Sequence, residues 1–172
     1  MSDQQHSRVP ESVDAWRMVA AQREFEGRIP LAAMARLRDS LLDPEGDARY
    51  VLAFGTDALK LPYVELRIEA ELPLECQSSL QRFLLPVRLV QRLGLVRDEA
   101  DEAALPPDYE ALLVEADGML RPAELVEDEL ILALPVVPVS PDAEAVEREF
   151  VPTVEETAQA SPFAALAGLK KK

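Results

Sequence analysis

With 172 residues and 48% hydrophobic side chains, the chain can bury one respectable core, and its length fits one domain plus a tail better than two domains. A formal charge of −14 excludes a generic polyanion binder, since an acidic surface repels phosphate, and suits either solubility or a basic protein partner. The single cysteine, Cys76, excludes an intrachain disulfide and fits a reducing compartment.

Residues 1–11 are expected to be disordered. Ser12 is placed to cap a short helix through Asp14, Trp16 and Val19, its hydroxyl accepting an otherwise orphaned backbone N–H. Trp16 is expected to pack into the core. Arg23 to Ile29 alternates charged and apolar residues, and Pro30 then suits the first turn of a helix. In the LAAMARLRDSLLD stretch that follows, Leu31, Met34, Leu37 or Ala35, Leu41 and Leu42 recur at helical spacing, leaving Arg36, Arg38 and Asp39 for solvent. DPEGD ends that helix with turn residues.

From Arg49 the period changes to two, and YVLAF, GTD and KLPYVELRIEAEL predict two antiparallel strands joined by a short turn. Val64, Leu66, Ile68, Ala70 and Leu72 share one face, with Glu65, Arg67, Glu69 and Glu71 on the other, so one sheet face is buried and one wet. CQSS separates this strand from QRFLLPVRLV, which predicts a second hairpin. Pro86 places the later strand at an edge or a bulge, because proline cannot donate to the ladder.

Residues 98–108 are too polar for a core and predict a charged loop. YEALLVEADGML predicts another hairpin, with Asp117 and Gly118 supplying the tight turn. Pro122 opens a second helix, PAELVEDELILAL, with Leu125, Leu130, Ala133 and Leu134 on its apolar side and an end at Pro135. PVVPV runs extended beyond it. Residues 140–160 are rich in Glu, Ala, Pro and Ser and read as an acidic tether. In residues 161–172, Phe163, Leu166 and Leu169 fall on one helical face ahead of Lys170, Lys171 and Lys172, the pattern of a short partner-binding peptide.

Charge divides sharply along this path. Residues 1–97 carry 13 Lys and Arg against 14 Asp and Glu, whereas residues 98–169 carry 2 against 18. The opening run MSDQQHSRVPESVDAWR has no apolar stretch of signal length, and nowhere do about 18 apolar residues follow one another. A cytoplasmic location is expected, with neither membrane nor DNA as partner.

Chemistry is scarce. The only histidine is His6, in the segment expected to be disordered, so no Ser or Cys nucleophile gains a structured histidine base. His6 and Cys76 cannot supply the four ligands of a structural zinc site, and no GxxxxGK or GxGxxG loop occurs. No cofactor is expected. Glu127, Asp128 and Glu129 suggest Mg²⁺ and a metal-dependent ribonuclease, but consecutive helix residues point about 100° apart and cannot all face one ion. A solvated face or partner contact is the better reading of these three acids. For RNA, residues 76–97 hold Arg82, Arg88, Arg92 and Arg97 and no acidic residue. On a regular strand Arg82 and Arg88 share a face, with Arg92 in line, as a modest phosphate-contacting strip. Salt bridges to the acidic second half are the plainer alternative, and no aromatic recognition motif accompanies the arginines.

VEDELILALPVVPV and SPFAALAGLKKK, with LECQ at 74–77, occur in the order in which similar stretches occur in the YceD family, and the chain resembles that family over most of its length. The resemblance implies a bacterial role in the synthesis, processing or stability of large-subunit (23S) ribosomal RNA, in proteins often encoded beside a large-subunit ribosomal protein gene. It carries over no catalytic residue. Many relatives have a second cysteine three residues after the first, where this chain has Ser79, and some add a downstream cysteine group that this chain lacks. A metal-stabilised turn is therefore not expected, and Cys76 is read as a small half-buried residue at a strand end.

The expectation is an α+β domain over residues 12–139, mainly antiparallel sheet built from hairpins with two principal helices, followed by a flexible acidic tail. Its expected function is that of a non-catalytic ribosome-biogenesis factor acting through contacts with ribosomal proteins or large-subunit assembly factors. Phe163, Leu166, Leu169, the terminal lysines and the acids 127–129 are the candidate partner contacts. The alternative is direct contact with large-subunit RNA through Arg82, Arg88 and Arg92.

Overall fold

Alternation of apolar and charged residues builds the central sheet. The computed structural model describes residues 10–143. Within them the chain runs β1 (Val13–Asp14), α1 (Ala15–Ala20), β2 (Glu24–Pro30), a 3₁₀ turn (Leu31–Ala33), α2 (Ala35–Arg38), β3 (Asp47–Thr56), β4 (Pro62–Glu75) and β5 (Arg82–Val96). It continues through α3 (Glu99–Glu102), β6 (Glu110–Leu113), β7 (Met119–Leu120) and α4 (Pro122–Ala133). Five strands pair in the order β2-β3-β4-β5-β6, and β1 pairs with β7 apart from them. The first four are antiparallel neighbours, while β6 runs parallel to the last residues of β5.

On β4, Val64, Leu66, Ile68, Ala70 and Leu72 are buried, and Arg67, Glu69 and Glu71 are exposed, as the alternation predicts. Residues from α1, the 3₁₀ turn, α2 and α4 join the core on the buried face, among them Val19, Leu31, Leu37, Leu125, Val126 and Leu130. Each fully buried leucine removes enough apolar surface to contribute about 2 kcal/mol. Gly27 faces Tyr50 across the β2–β3 ladder, and a Cβ there would lie 2.8 Å from the tyrosine ring. The glycine leaves room for the ring to lie over the neighbouring backbone.

Several expectations are corrected. The first helix is capped by Asp14, whose Oδ1 accepts the Arg17 N–H at 3.0 Å; Ser12 is displaced from that role because Val13 and Asp14 are drawn into pairing with Leu120 and Met119. The helix expected over residues 30–43 is broken. Pro30 closes β2, Met34 is extended at φ −93° and ψ 93°, and α2 is only four residues long. Leu31, Met34 and Leu37 are nonetheless all buried, so their spacing correctly marked a core-facing segment of different backbone shape. One long helix, α4, therefore stands where two principal helices were expected.

The hairpin expected over residues 109–120 is also replaced. Gly118 does take the turn, at φ 73°, but the flanking strands part company, β6 joining β5 and β7 joining β1. Residues 98–108 include the short α3, capped by Asp98. The β4–β5 hairpin is as expected, and Pro86 sits where β5 has β4 alone as a neighbour among the described residues, since β6 reaches only Leu93–Val96.

Candidate partner-binding surface

The β4–β5 turn begins at Cys76, whose N–H bonds the Gln81 carbonyl at 2.9 Å while its own carbonyl accepts from Leu80 at 2.8 Å. Leu80 occupies the left-handed region at φ 56°, an uncommon conformation for a branched side chain. It is also 71% exposed, so the turn holds an apolar side chain out to water.

A second segment meets this turn. Helix α4 stops as Leu134 turns extended ahead of Pro135, and the chain then crosses to the turn, where Gln77 donates its N–H to the Pro138 carbonyl at 2.9 Å. Two residues on, the Ser140 N–H reaches the Cys76 sulfur at 3.3 Å, and the Ser78 hydroxyl lies 3.2 Å from the same atom. Cys76 is fully buried, more deeply than its strand-end position suggested. The Ser140 N–H, followed by the hydroxyls of Ser78 and Ser79 and the Ser79 N–H, lowers the thiol to about 6, outweighing the opposing effect of desolvation.

The crossing segment leaves large apolar groups in solvent. Val136 is 97% exposed, Leu132 on α4 is 72% exposed, and Val137 and Val139 are exposed as well. Scattered apolar residues are ordinary on a protein surface, but these exposed ones lie on segments that hydrogen-bond to each other, which makes them a candidate docking surface.

The three acids of α4 have separate fates. Glu127 is buried and its Oε1 accepts the backbone N–H groups of Arg36 at 2.7 Å and Leu37 at 3.1 Å. Those are the N–H groups that a continuous helix would have given to the carbonyls of Ala32 and Ala33. The Arg36 guanidinium adds a bond to Glu127 Oε2 at 3.1 Å and another to Asp128 at 2.6 Å. Burial raises the Glu127 pKa, but the Leu37 and Arg36 bonds together bring it below the ordinary carboxylate value. Glu129 is half-buried, and desolvation, with the charges of Glu110 and Asp128, raises its pKa. Among the described residues no three His, Cys, Asp or Glu side chains converge on a metal position.

Arg82, Arg88 and Arg92 do lie on the exposed face of β5. Each has a carboxylate neighbour: Arg82 bonds Asp43 at 2.7 Å, Arg92 bonds Glu65 at 3.0 Å, and Arg88 lies 3.9 Å from Glu69. Among the described residues these partners come from the first half of the chain, where pairing with the acidic second half was expected. For two of them the cause is register, since β5 lies antiparallel to β4 and sets Arg92 opposite Glu65 and Arg88 opposite Glu69, whereas Arg82 reaches Asp43 ahead of β3. Arg92 also lies over the Tyr63 ring at 4.9 Å. A depression between Trp16, Leu61, Leu95, Arg97 and Leu105 encloses about 190 Å³, short of the roughly 300 Å³ at which small-molecule sites begin.

Residues 161–172, with Phe163, Leu166, Leu169 and the terminal lysines, lie outside the described residues. The meeting of the Cys76 turn with residues 138–140 escaped the sequence reading. Its only signal was that LECQ and LPVVPV are both among the stretches resembling one family. No helix of the described residues is long and apolar enough to cross a membrane.

Comparison with known proteins bears on both stretches. The family model for "Large ribosomal RNA subunit accumulation protein YceD" matches residues 64–170. A Haemophilus influenzae protein of that same name is 31% identical over 175 residues, spanning 98% of this chain and 99% of the relative. No solved structure matches the chain.

Proposed function

The chain belongs to the YceD family, and from that premise we propose that it is a non-catalytic ribosome-biogenesis factor supporting accumulation of large-subunit ribosomal RNA in the bacterial cytoplasm. It acts by holding a basic large-subunit ribosomal protein or assembly factor. The observation that carries this reading is the apolar surface of Leu80, Leu132, Val136, Val137 and Val139, displayed by two segments that hydrogen-bond to each other. Charge supports the choice of a basic partner, because residues 98–169 carry 18 acidic against 2 basic groups. The terminal peptide, with Phe163, Leu166 and Leu169 followed by Lys170 to Lys172, is proposed as a second contact, and Asp128 and Glu129 as flanking ones.

Two other readings have less support. A phosphate-contacting role for Arg82, Arg88 and Arg92 would have to draw these arginines away from carboxylates already beside them. A metal-dependent ribonuclease would need Glu127, whose oxygens are occupied by Arg36 and Leu37. The test is a crosslinked pull-down of the tagged protein from growing cells, divided into nuclease-treated and untreated halves. Identified large-subunit proteins or assembly factors should survive nuclease treatment. Recovery only with intact large-subunit RNA would contradict the protein-contact reading.

A further inference from the structure

The ladder of β5 with β4 covers Arg82 to Gly94, whereas on its other side β6 covers only Leu93–Val96 among the described residues. The Val96 carbonyl accepts from Val114 on the β6 side. Successive residues of a strand turn their backbone groups to opposite sides, so the even-numbered residues of β5 face that way. Leu84, Arg88 and Val90 therefore direct their N–H groups to an edge without a partner among the described residues. Pro86 falls in the same series, the position where a strand loses no ladder bond by lacking an N–H.

The two edges of the sheet differ in chemistry. At the opposite edge β2 exposes Glu24, Glu26 and Arg28 and ends at Pro30, and charges so placed discourage pairing with another strand. The β5 edge instead exposes Leu84 at 42% and Val90 at 65% on the outer face, with Phe83, Leu85 and Leu89 half-buried on the inner one. Its arginines already have the carboxylates of Asp43, Glu65 and Glu69 beside them.

This edge is complementary to itself in one register. Antiparallel pairing of a strand with its own copy puts a two-fold axis at one residue position, with even-numbered residues opposite even-numbered ones. Centred on Pro86, the strand would set proline opposite proline and Leu84 opposite Arg88. Centred on Arg88, it would set two like charges directly opposite each other. Centred on Val87, Leu84 meets Val90 on the outer face, while on the inner face Leu85 meets Leu89 and Val87 meets its own copy. Apolar residues then face apolar residues on both sides of the sheet, and each Pro86 lies opposite an Arg88.

We infer that β5 pairs with β5 of a second copy, antiparallel about Val87 and over residues 84–90, so that two five-stranded sheets become one. About six backbone hydrogen bonds form across the axis, the prolines withholding two. The pairing stops short of Arg92, beside which Tyr109 and the start of β6 already lie, and Arg82 and Arg92 keep their bonds to Asp43 and Glu65. Each copy uses the same edge, so assembly closes at two chains.

Light scattering of the full chain over a range of concentrations tests this. The mass should rise from 19.0 kDa to twice that value. Leu84→Lys and Val90→Lys, both at exposed positions, should each weaken the dimer about tenfold or more while leaving the melting temperature of the monomer unchanged. Single cysteines read the register: under mild oxidation Val87→Cys should link two copies, and Leu89→Cys should not. A chain that stays at 19.0 kDa at millimolar concentration would overturn the inference. So would a dimer indifferent to both lysines, or one linked through Leu89→Cys and not through Val87→Cys.

Discussion

Ser140 donates its backbone N–H to the Cys76 sulfur at 3.3 Å, joining positions 64 apart in the sequence. The bond ties the segment after α4 to the turn between the two longest strands, so the exposed valines between them are held in place rather than left on a loose end. It also makes the attachment sensitive to the state of the thiol. The folded-state value is about 6 against an ordinary 9.0, and a lowered value favours folding where the unfolded chain would still be protonated. The contribution is complete above about pH 9 and is lost as the pH falls through about 6. Melting temperature should therefore rise between these limits in the native protein and stay flatter in Cys76→Ala, with other titrating groups common to both. Parallel curves for the two proteins would refute the link.

Glu127 should behave as a structural residue. Its removal strands the N–H groups of Arg36 and Leu37 at the start of α2 and unpairs Arg36. Glu127→Ala should cost about 2 to 3 kcal/mol in denaturant unfolding, whereas Asp128→Ala, losing an exposed pair, should cost under about 1 kcal/mol. Because folding lowers the Glu127 pKa, its contribution is present above the ordinary carboxylate range and disappears as the pH falls through the lowered value. Equal costs for the two variants would contradict the separate roles described above.

Gly27 and Tyr50 should be coupled. A methyl group at Gly27 would sit 2.8 Å from the Tyr50 ring, so Gly27→Ala should destabilise by about 1 to 3 kcal/mol. The buried Tyr50 hydroxyl has no hydrogen-bond partner among the described residues, and Tyr50→Phe should be neutral or mildly stabilising. Thermal unfolding of the two variants decides both, and a strongly destabilised Tyr50→Phe would show that the hydroxyl is satisfied in solution.

The sheet was legible where the information is local. Between Val64 and Leu72 each residue's polarity states its face, and Pro122 and Pro135 bracket α4 closely. Leu31, Met34 and Leu37 were recognised as core residues but assigned the wrong backbone, because the Arg36 and Leu37 N–H groups that a helix would use are taken by a carboxylate some 90 positions away. The same applies to Asp117 and Gly118, whose turn is local while the pairing of β7 with β1 is not. At the candidate surface, the exposure of Val136 and the docking of residues 138–140 depend on a turn some 60 positions earlier. The arginines lie on one face of β5 as expected, and the pairing of Arg88 and Arg92 depended on the register with β4.

The most direct test of the proposed role replaces Val136 and Val137 with aspartate in the chromosomal copy and measures the ratio of large-subunit to small-subunit ribosomal RNA in growing cells. The protein level and melting temperature are checked alongside. Both side chains are exposed, so stability should change by less than about 0.5 kcal/mol. The ratio should fall to that of cells lacking the protein. A normal ratio with the altered protein present at its usual level would contradict the claim that this surface holds the partner.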